Sequence, residues 1–344
     1  MDQPSMPISA KPAAERGPIW LGLLVLYIVW GSTYLGIAVA VDTIPPFLMA
    51  SARFLLAGSV LFAWSMLRSG RTFVPPTRRE WRDSLIVGGL LLGGGMGMVS
   101  FGEQTIPSGI AALVIALMPV WVAVLGRTFL GERLPGLAIV GIVVGFVGVG
   151  ILVGPTALGE QGSLDPIGLA AIMLSPIFWY SGSLYASHRA TLPRQPLVAT
   201  GAQMLAGGAV LAAMGAVNGE YGQLDPAAIS TESLVAFAYL TVIGSLLAFT
   251  VFGWLLRVAP LPLIATYAYV NPVVAVILGA IVLNEAIEPR TLVAGAVIVG
   301  AVALIVTARG RMAAPRGEPQ PSVTPPRGPS EPHVERAPSR SASG

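Results

Sequence analysis

Long apolar runs separated by short polar stretches fill the chain from residue 18 to residue 307. A helix needs about 20 apolar residues to cross some 30 Å of hydrocarbon. Ten runs approach that length, at roughly 18–40, 46–67, 84–103, 107–130, 135–153, 166–187, 196–217, 233–256, 261–283 and 289–307. The fourth and fifth are nearly continuous, and Gly131-Glu132-Arg133-Leu134-Pro135 is their natural break. Proline cannot donate to a preceding helix, and the charged pair belongs at an interface. The pattern predicts an all-α integral membrane protein of ten transmembrane helices.

Composition narrows the function classes. Charged residues make up 11% of the chain, against roughly 25% in soluble proteins, so a water-soluble enzyme is excluded. No cysteine is present, which removes disulfides, thiolate metal sites and cysteine nucleophiles. His188 and His333 lie far apart, so no histidine metal cluster is expected, and neither a cofactor nor a catalytic residue is assigned.

The placement of the charges gives an orientation. With the N-terminus in the cytoplasm, eighteen of the twenty Lys and Arg residues fall on the cytoplasmic side, only Arg290 falls outside, and Arg53 falls inside the second span. This positive-inside bias predicts both termini in the cytoplasm of a bacterial inner membrane protein. It also accounts for the basic pI without nucleic acid. Residues 1–17, and the Pro-, Ser- and Arg-rich 308–344, read as disordered cytoplasmic tails, the first without a cleavable signal.

The chain repeats itself. An offset of 153 residues superposes Pro119-Val120 on Pro272-Val273, Leu125-Gly126 on Leu278-Gly279, Glu132 on Glu285 and Pro107 on Pro260. Slightly smaller offsets superpose Trp30 on Trp179 and Gly58 on Gly208. Residues 18–153 and 166–307 therefore read as two five-helix repeats. Five is odd, so the second enters the membrane from the opposite side, as in inverted-repeat secondary transporters.

The runs WGSTYLGI (30–37), ARFLLAG (52–58), EQTIPSGIAALVIALMPVWVAVLGRTFLGERL (103–134) and YVNPVVAVILGAIVLNEAI (269–287) resemble the EamA-type family of the drug/metabolite transporter superfamily, most of all its YedA-like branch of bacterial exporters. The resemblance implies a central cavity walled by spans 1–4 and 6–9, with spans 5 and 10 peripheral. It implies small-molecule substrates, typically exported amino acids or related metabolites, and self-association through spans 5 and 10. The bilayer is the other expected partner.

Arg53 is costly within a span. It either faces the cavity and attracts a substrate carboxylate, or locks the bundle by bonding to neighbouring carbonyls or to Glu103. Glu103 and Gln104 end the third span on the outer side, where a carboxylate holds an ammonium group, relays protons or simply sits in water. Aromatic and amide groups suit a small amphipathic solute, and Trp30, Tyr34, Trp121, Trp179, Tyr180, Trp254, Tyr267 and Asn271 are the candidates. Packing and the interfacial aromatic belt compete for each of them, and for Trp20 and Trp64 in particular. Pro119 and Pro272 are candidate hinges or static bends. Gly88, Gly89, Gly93-Gly94-Gly95 and Gly97 read as close helix packing, as do Gly141, Gly145 and Gly148. Glu132 and Glu285 read as caps of the helices that follow them.

Three rivals are weaker. An intramembrane enzyme would need an aspartate pair, a metal site or a serine motif within a span. A membrane sensor or scaffold would want a folded soluble domain. A nucleotide-sugar or phosphorylated-metabolite antiporter of similar fold would need several buried cations, and only Arg53 is available.

Overall fold

The computed structural model describes residues 16–131, 135–153, 164–259, 261–264 and 266–313, and every regular element among them is helical. Eight helical segments are long and apolar enough to cross a membrane: Gly17–Val41, Pro46–Thr72, Arg78–Gly102, Ser108–Thr128, Pro166–His188, Pro196–Val217, Thr231–Phe252 and Pro289–Thr307. Two shorter apolar helices, Gly136–Leu152 and Val270–Val282, fall within the fifth and ninth apolar runs. The chain is a multi-pass membrane protein. Glu132 and most of both tails lie outside the described residues.

Helix α1 is Arg16–Val41 and α2 is Pro46–Ser69. The third segment is α3, Arg78–Gly88, a π-helical stretch Gly89–Met96, and α4, Gly97–Gly102. Next come α5, Ser108–Ile115, α6, Met118–Leu130, and α7, Gly136–Val153. The later part begins with α8, Pro166–His188, α9, Pro196–Val217, and a single turn α10, Glu220–Gln223. It continues with α11, Thr231–Tyr239, a second π-helical stretch Leu240–Leu247, and α12, Ala248–Val258. The short α13, Leu261–Ile264, α14, Tyr267–Val282, and α15, Pro289–Ala313, complete it.

Local chemistry explains the ends. Proline opens α2, α8 and α9, where its missing N–H costs nothing. Thr77 and Glu80 form a capping box that draws the polar run from Arg78 to Asp83 into α3, so the third segment begins six residues before its apolar run. Ser230 caps α11 by accepting from the Ser233 amide at 3.0 Å, and it stands 153 residues after Thr77. Asp165 caps α8, where the Gly168 amide and the Thr105 hydroxyl hold its carboxyl below the usual carboxylate range. The same offset relates two left-handed turns: Gly131, at φ 65°, ends α6, and Asn284, at φ 52°, follows α14. Glycine and asparagine are the residues that tolerate this conformation best. The two π-helical stretches also stand in nearly matching register.

Glu285 corrects an expectation. It does not cap the helix that follows it; its carboxylate accepts from the Ser108 amide at 2.8 Å and the Gly109 amide at 3.2 Å, at the start of α5. Glu220 plays a similar long-range part, accepting from the amides of Phe47 at 3.3 Å and Leu48 at 2.9 Å at the start of α2. Both tie together segments remote in sequence and satisfy N–H groups that water cannot reach in a membrane.

Glycines set the close crossings. Gly58 of α2 faces Gly201 of α9, and Gly88 of α3 faces Gly207 of α9. Gly141 and Gly148 of α7 receive Ile305 and Ile298 of α15. The glycine stripe expected in the fifth span is thus spent on packing the fifth and tenth spans together within one chain.

Candidate functional site

Seven of the helical segments converge on a cavity of about 120 Å³. Helix α1 contributes Trp30, Thr33, Tyr34 and Ile37, and α2 contributes Arg53 and Phe54. Met96 and Val99 come from the third segment, and Ile115 and Met118 from either side of the break between α5 and α6. The later part of the chain supplies Ser175 and Trp179 from α8, Gly244 and Phe249 from the Thr231–Phe252 segment, and Tyr267 and Asn271 from α14.

Arg53 dominates the electrostatics. It is 2% exposed, so water does not stabilise its charge. Its Nε donates to Ser245 Oγ at 2.8 Å, and the guanidinium carbon lies 5.0 Å from the centre of the Phe54 ring. Gly244 makes room for it, since a Cβ there would stand 3.2 Å from Arg53 Nη2. Ser245 and Gly244 both belong to the second π-helical stretch. Such stretches widen a helix locally and occur often at functional sites. Among the described residues no ion pair joins Arg53 to Glu103, and its hydrogen bond goes to a hydroxyl, not to a helix carbonyl.

One polar group of the same cavity has hydrogen-bonding capacity to spare. Asn271 is 7% exposed, and its Oδ1 has no hydrogen-bond partner among the described residues. A buried acceptor left open in a cavity is a place for a ligand donor. Trp30 is held by edge contacts with Tyr267, at 5.0 Å between ring centres, and with Phe249, at 5.9 Å. Tyr27 and Thr266 share a hydrogen bond, and Ser32 Oγ pairs with Tyr239 OH at 2.5 Å. Both bonds fix the rotation of α1, which aims Trp30 and Tyr34 inward.

The cavity therefore collects Trp30, Tyr34, Arg53, Trp179, Tyr267 and Asn271 of the candidates read from the sequence. Three aromatic candidates go elsewhere. Trp121 packs edge-on against Phe146 of α7, with ring centres 6.0 Å apart. Trp254 joins the apolar cluster of Leu23, Leu26 and Leu255 beside Gly22. Tyr180 is not a lining residue, although its neighbour Trp179 is. Pro119 does not bend a continuous helix: the chain already breaks at Ala116-Leu117, and Pro119 sits in the first turn of α6. Pro272 does lie inside its helix. Phe54, Ser175, Gly244 and Phe249 line the cavity but were not singled out by the sequence.

Glu103 and Gln104 line a different space. A recess of about 790 Å³ is bounded by Ala38, Val39, Val41, Asp42, Glu103, Gln104, Ser230, Glu232, Val282 and Leu283. Gln104 is exposed there. Glu103 is 5% exposed, which contradicts the expectation of a solvated interfacial carboxylate.

A family model described as the EamA-like transporter family matches residues 17–154 and again residues 166–307. The chain is 38% identical over 291 residues to "Uncharacterized inner membrane transporter YedA" of Escherichia coli (strain K12), covering 84% of this chain and 90% of that one. It is 27% identical over 279 residues to "Protein PecM" of Dickeya dadantii (strain 3937), covering 81% and 88%. A solved structure described only as "Crystal structure of protein" shares the fold at a TM-score of 0.58 and 21% identity, over 88% of this chain and 100% of that one. With two tandem matches covering nearly all of the apolar chain, the protein belongs to the EamA-like transporter family of the drug/metabolite transporter superfamily, as a membrane transporter.

Proposed function

We propose that this protein is a ten-helix secondary transporter of the bacterial inner membrane, built as two inverted five-helix repeats with both termini in the cytoplasm. It exports amino acids or related small metabolites by alternating access. The observation that carries this reading is the cavity itself, in which one buried cation, Arg53, shares an aromatic-walled space with the open acceptor of Asn271. A guanidinium suits a carboxylate, an amide oxygen suits an ammonium group, and the rings suit a small apolar side chain. A single buried cation among the described residues is too few for a nucleotide or a phosphorylated sugar.

The repeats support the rest. Trp30 and Trp179 face the cavity from matching positions, and the left-handed exits at Gly131 and Asn284 recur at the repeat offset. Inverted halves of this kind provide two interconvertible, oppositely opening states. The distribution of the cationic residues along the sequence supports an N-terminus on the cytoplasmic side. Self-association, if it occurs through spans 5 and 10, uses their outer aliphatic faces, since the glycine stripe is already filled.

The test is flux in liposomes containing the purified chain, without ATP, across a panel of labelled amino acids and small metabolites. At least one zwitterionic or weakly charged solute should cross faster than through protein-free liposomes. Flux equal to the protein-free control across the whole panel would overturn the function.

A further inference from the structure

We propose that the recess bounded by Asp42, Glu103 and Glu232 is a second solute site, selective for organic ammonium groups. The inference deepens the transport reading by naming the charge this site accepts, and it rests on that reading only for the site's place in the cycle. Three carboxylates line the recess, and no Lys or Arg does. Asp42 and Glu232 are exposed at its edge, while Glu103 is 5% exposed. Neither carboxylate oxygen of Glu103 meets hydrogen-bond geometry with a partner among the described residues; the Ala38 backbone is the neutral donor beside it. A buried carboxylate without a cationic partner is costly and is expected to take one when it is offered.

The groups around Glu103 do not fill that role. Glu285 is an anion and is itself committed to the amides of Ser108 and Gly109. Ser230, on the recess wall, is engaged as the cap of α11. Arg53 and Tyr34 line the central cavity and not the recess, and no ion pair forms between Arg53 and Glu103 among the described residues.

The shape of the recess selects the kind of cation. Among the described residues no three His, Asp or Glu side chains are placed to hold a metal ion. The recess is about 790 Å³, large for a bare ion, and Val39, Val41, Val282 and Leu283 give it an aliphatic wall. Carboxylates beside an aliphatic wall match a primary ammonium on a short alkyl chain.

The experiment is calorimetric titration of the full-length protein in nanodiscs with n-butylammonium at about pH 8, where an alkylamine is still protonated. Butanol, butyrate and calcium serve as the neutral, anionic and metal controls. Butylammonium is expected to bind, with butanol and butyrate binding at least ~10-fold more weakly. Glu103→Gln should weaken butylammonium at least ~10-fold, and Glu232→Gln less, because its carboxylate is exposed. Thermal unfolding of each variant confirms that it is folded. If Glu103→Gln fails to fold, Asp42→Asn with Glu232→Asn carries the test and should still weaken binding measurably. Equal binding of butanol and butylammonium, unchanged binding after Glu103→Gln, or calcium binding tighter than butylammonium would each overturn the site. Absent butylammonium binding with intact amino-acid flux defeats this inference alone, and the converse result defeats the transport reading alone.

Discussion

Arg53→Ala is expected to abolish flux of carboxylate-bearing solutes while leaving the protein about as stable as the parent. Removing one partner of a buried, hydrogen-bonded charge pair costs about 2–5 kcal/mol, which corresponds to a loss of roughly 30-fold to several thousand-fold in kcat/KM. Stability behaves differently. The variant loses the bond to Ser245 Oγ and the contact with the Phe54 ring. Together these are worth about 2–4 kcal/mol. It also avoids placing arginine within a span, which costs about 2.5–3.5 kcal/mol on insertion scales. The two nearly cancel, so the melting temperature should move by only a few degrees. If Arg53 were instead a structural lock, the melting temperature would fall steeply and the flux per folded molecule would be preserved. Arg53→Lys keeps the charge but loses the planar fork, and should retain only part of the flux.

Gly88→Val is expected to damage folding more than any single change at a lining residue. A Cβ at Gly88 would run into the Gln203 carbonyl oxygen and stand 2.9 Å from the Gly207 amide nitrogen. Both obstacles are backbone, so no side-chain rotation relieves them. The reverse contact is equally close, with a Cβ at Gly207 standing 2.7 Å from the Gly88 carbonyl oxygen. Close glycine crossings let membrane helices approach where there is no hydrophobic drive between them. Forcing α3 and α9 apart should cost about 3 kcal/mol or more. Gly150→Val and Gly300→Val are the controls, since a Cβ at either position meets nothing within 4 Å. Detergent-solubilised protein should therefore melt markedly lower, or aggregate, for Gly88→Val, and near the parent for both controls. Equal melting of all three would contradict the crossing.

Much of this fold is legible in the amino-acid pattern because the bilayer imposes lengths. The apolar runs, the prolines at helix starts and the Gly131 and Asn284 exits all carry direct local signals. The cavity was legible in part, through Arg53, Trp30, Tyr34, Trp179, Tyr267 and Asn271. Rotation about each span was not. A helix surrounded by lipid and other apolar helices is hydrophobic all round, so no polar face marks its outside. That is why Trp121 and Trp254 were as eligible as Trp30, although one packs on Phe146 and the other joins the apolar cluster beside Gly22. The π-helical stretches have no residue signature either, and one of them positions Ser245 and Gly244 at Arg53. Glu285 illustrates a third limit. Its cap lies 177 residues away in sequence, a distance over which local rules are silent. The burial of Glu103 belongs to the same class, because only the packing of other segments around the end of the third segment shields it.

The absence of native cysteine makes one measurement especially clean. Ser175 lines the cavity, is 4% exposed, and accepts the near-isosteric change Ser175→Cys. Its reaction with a membrane-impermeant thiol reagent can be followed in right-side-out and in inside-out vesicles. Alternating access through this cavity requires labelling from both faces, slowed from each face by a transported solute. Labelling from one face only, or labelling that no transported solute slows, would contradict the cavity as the transport path.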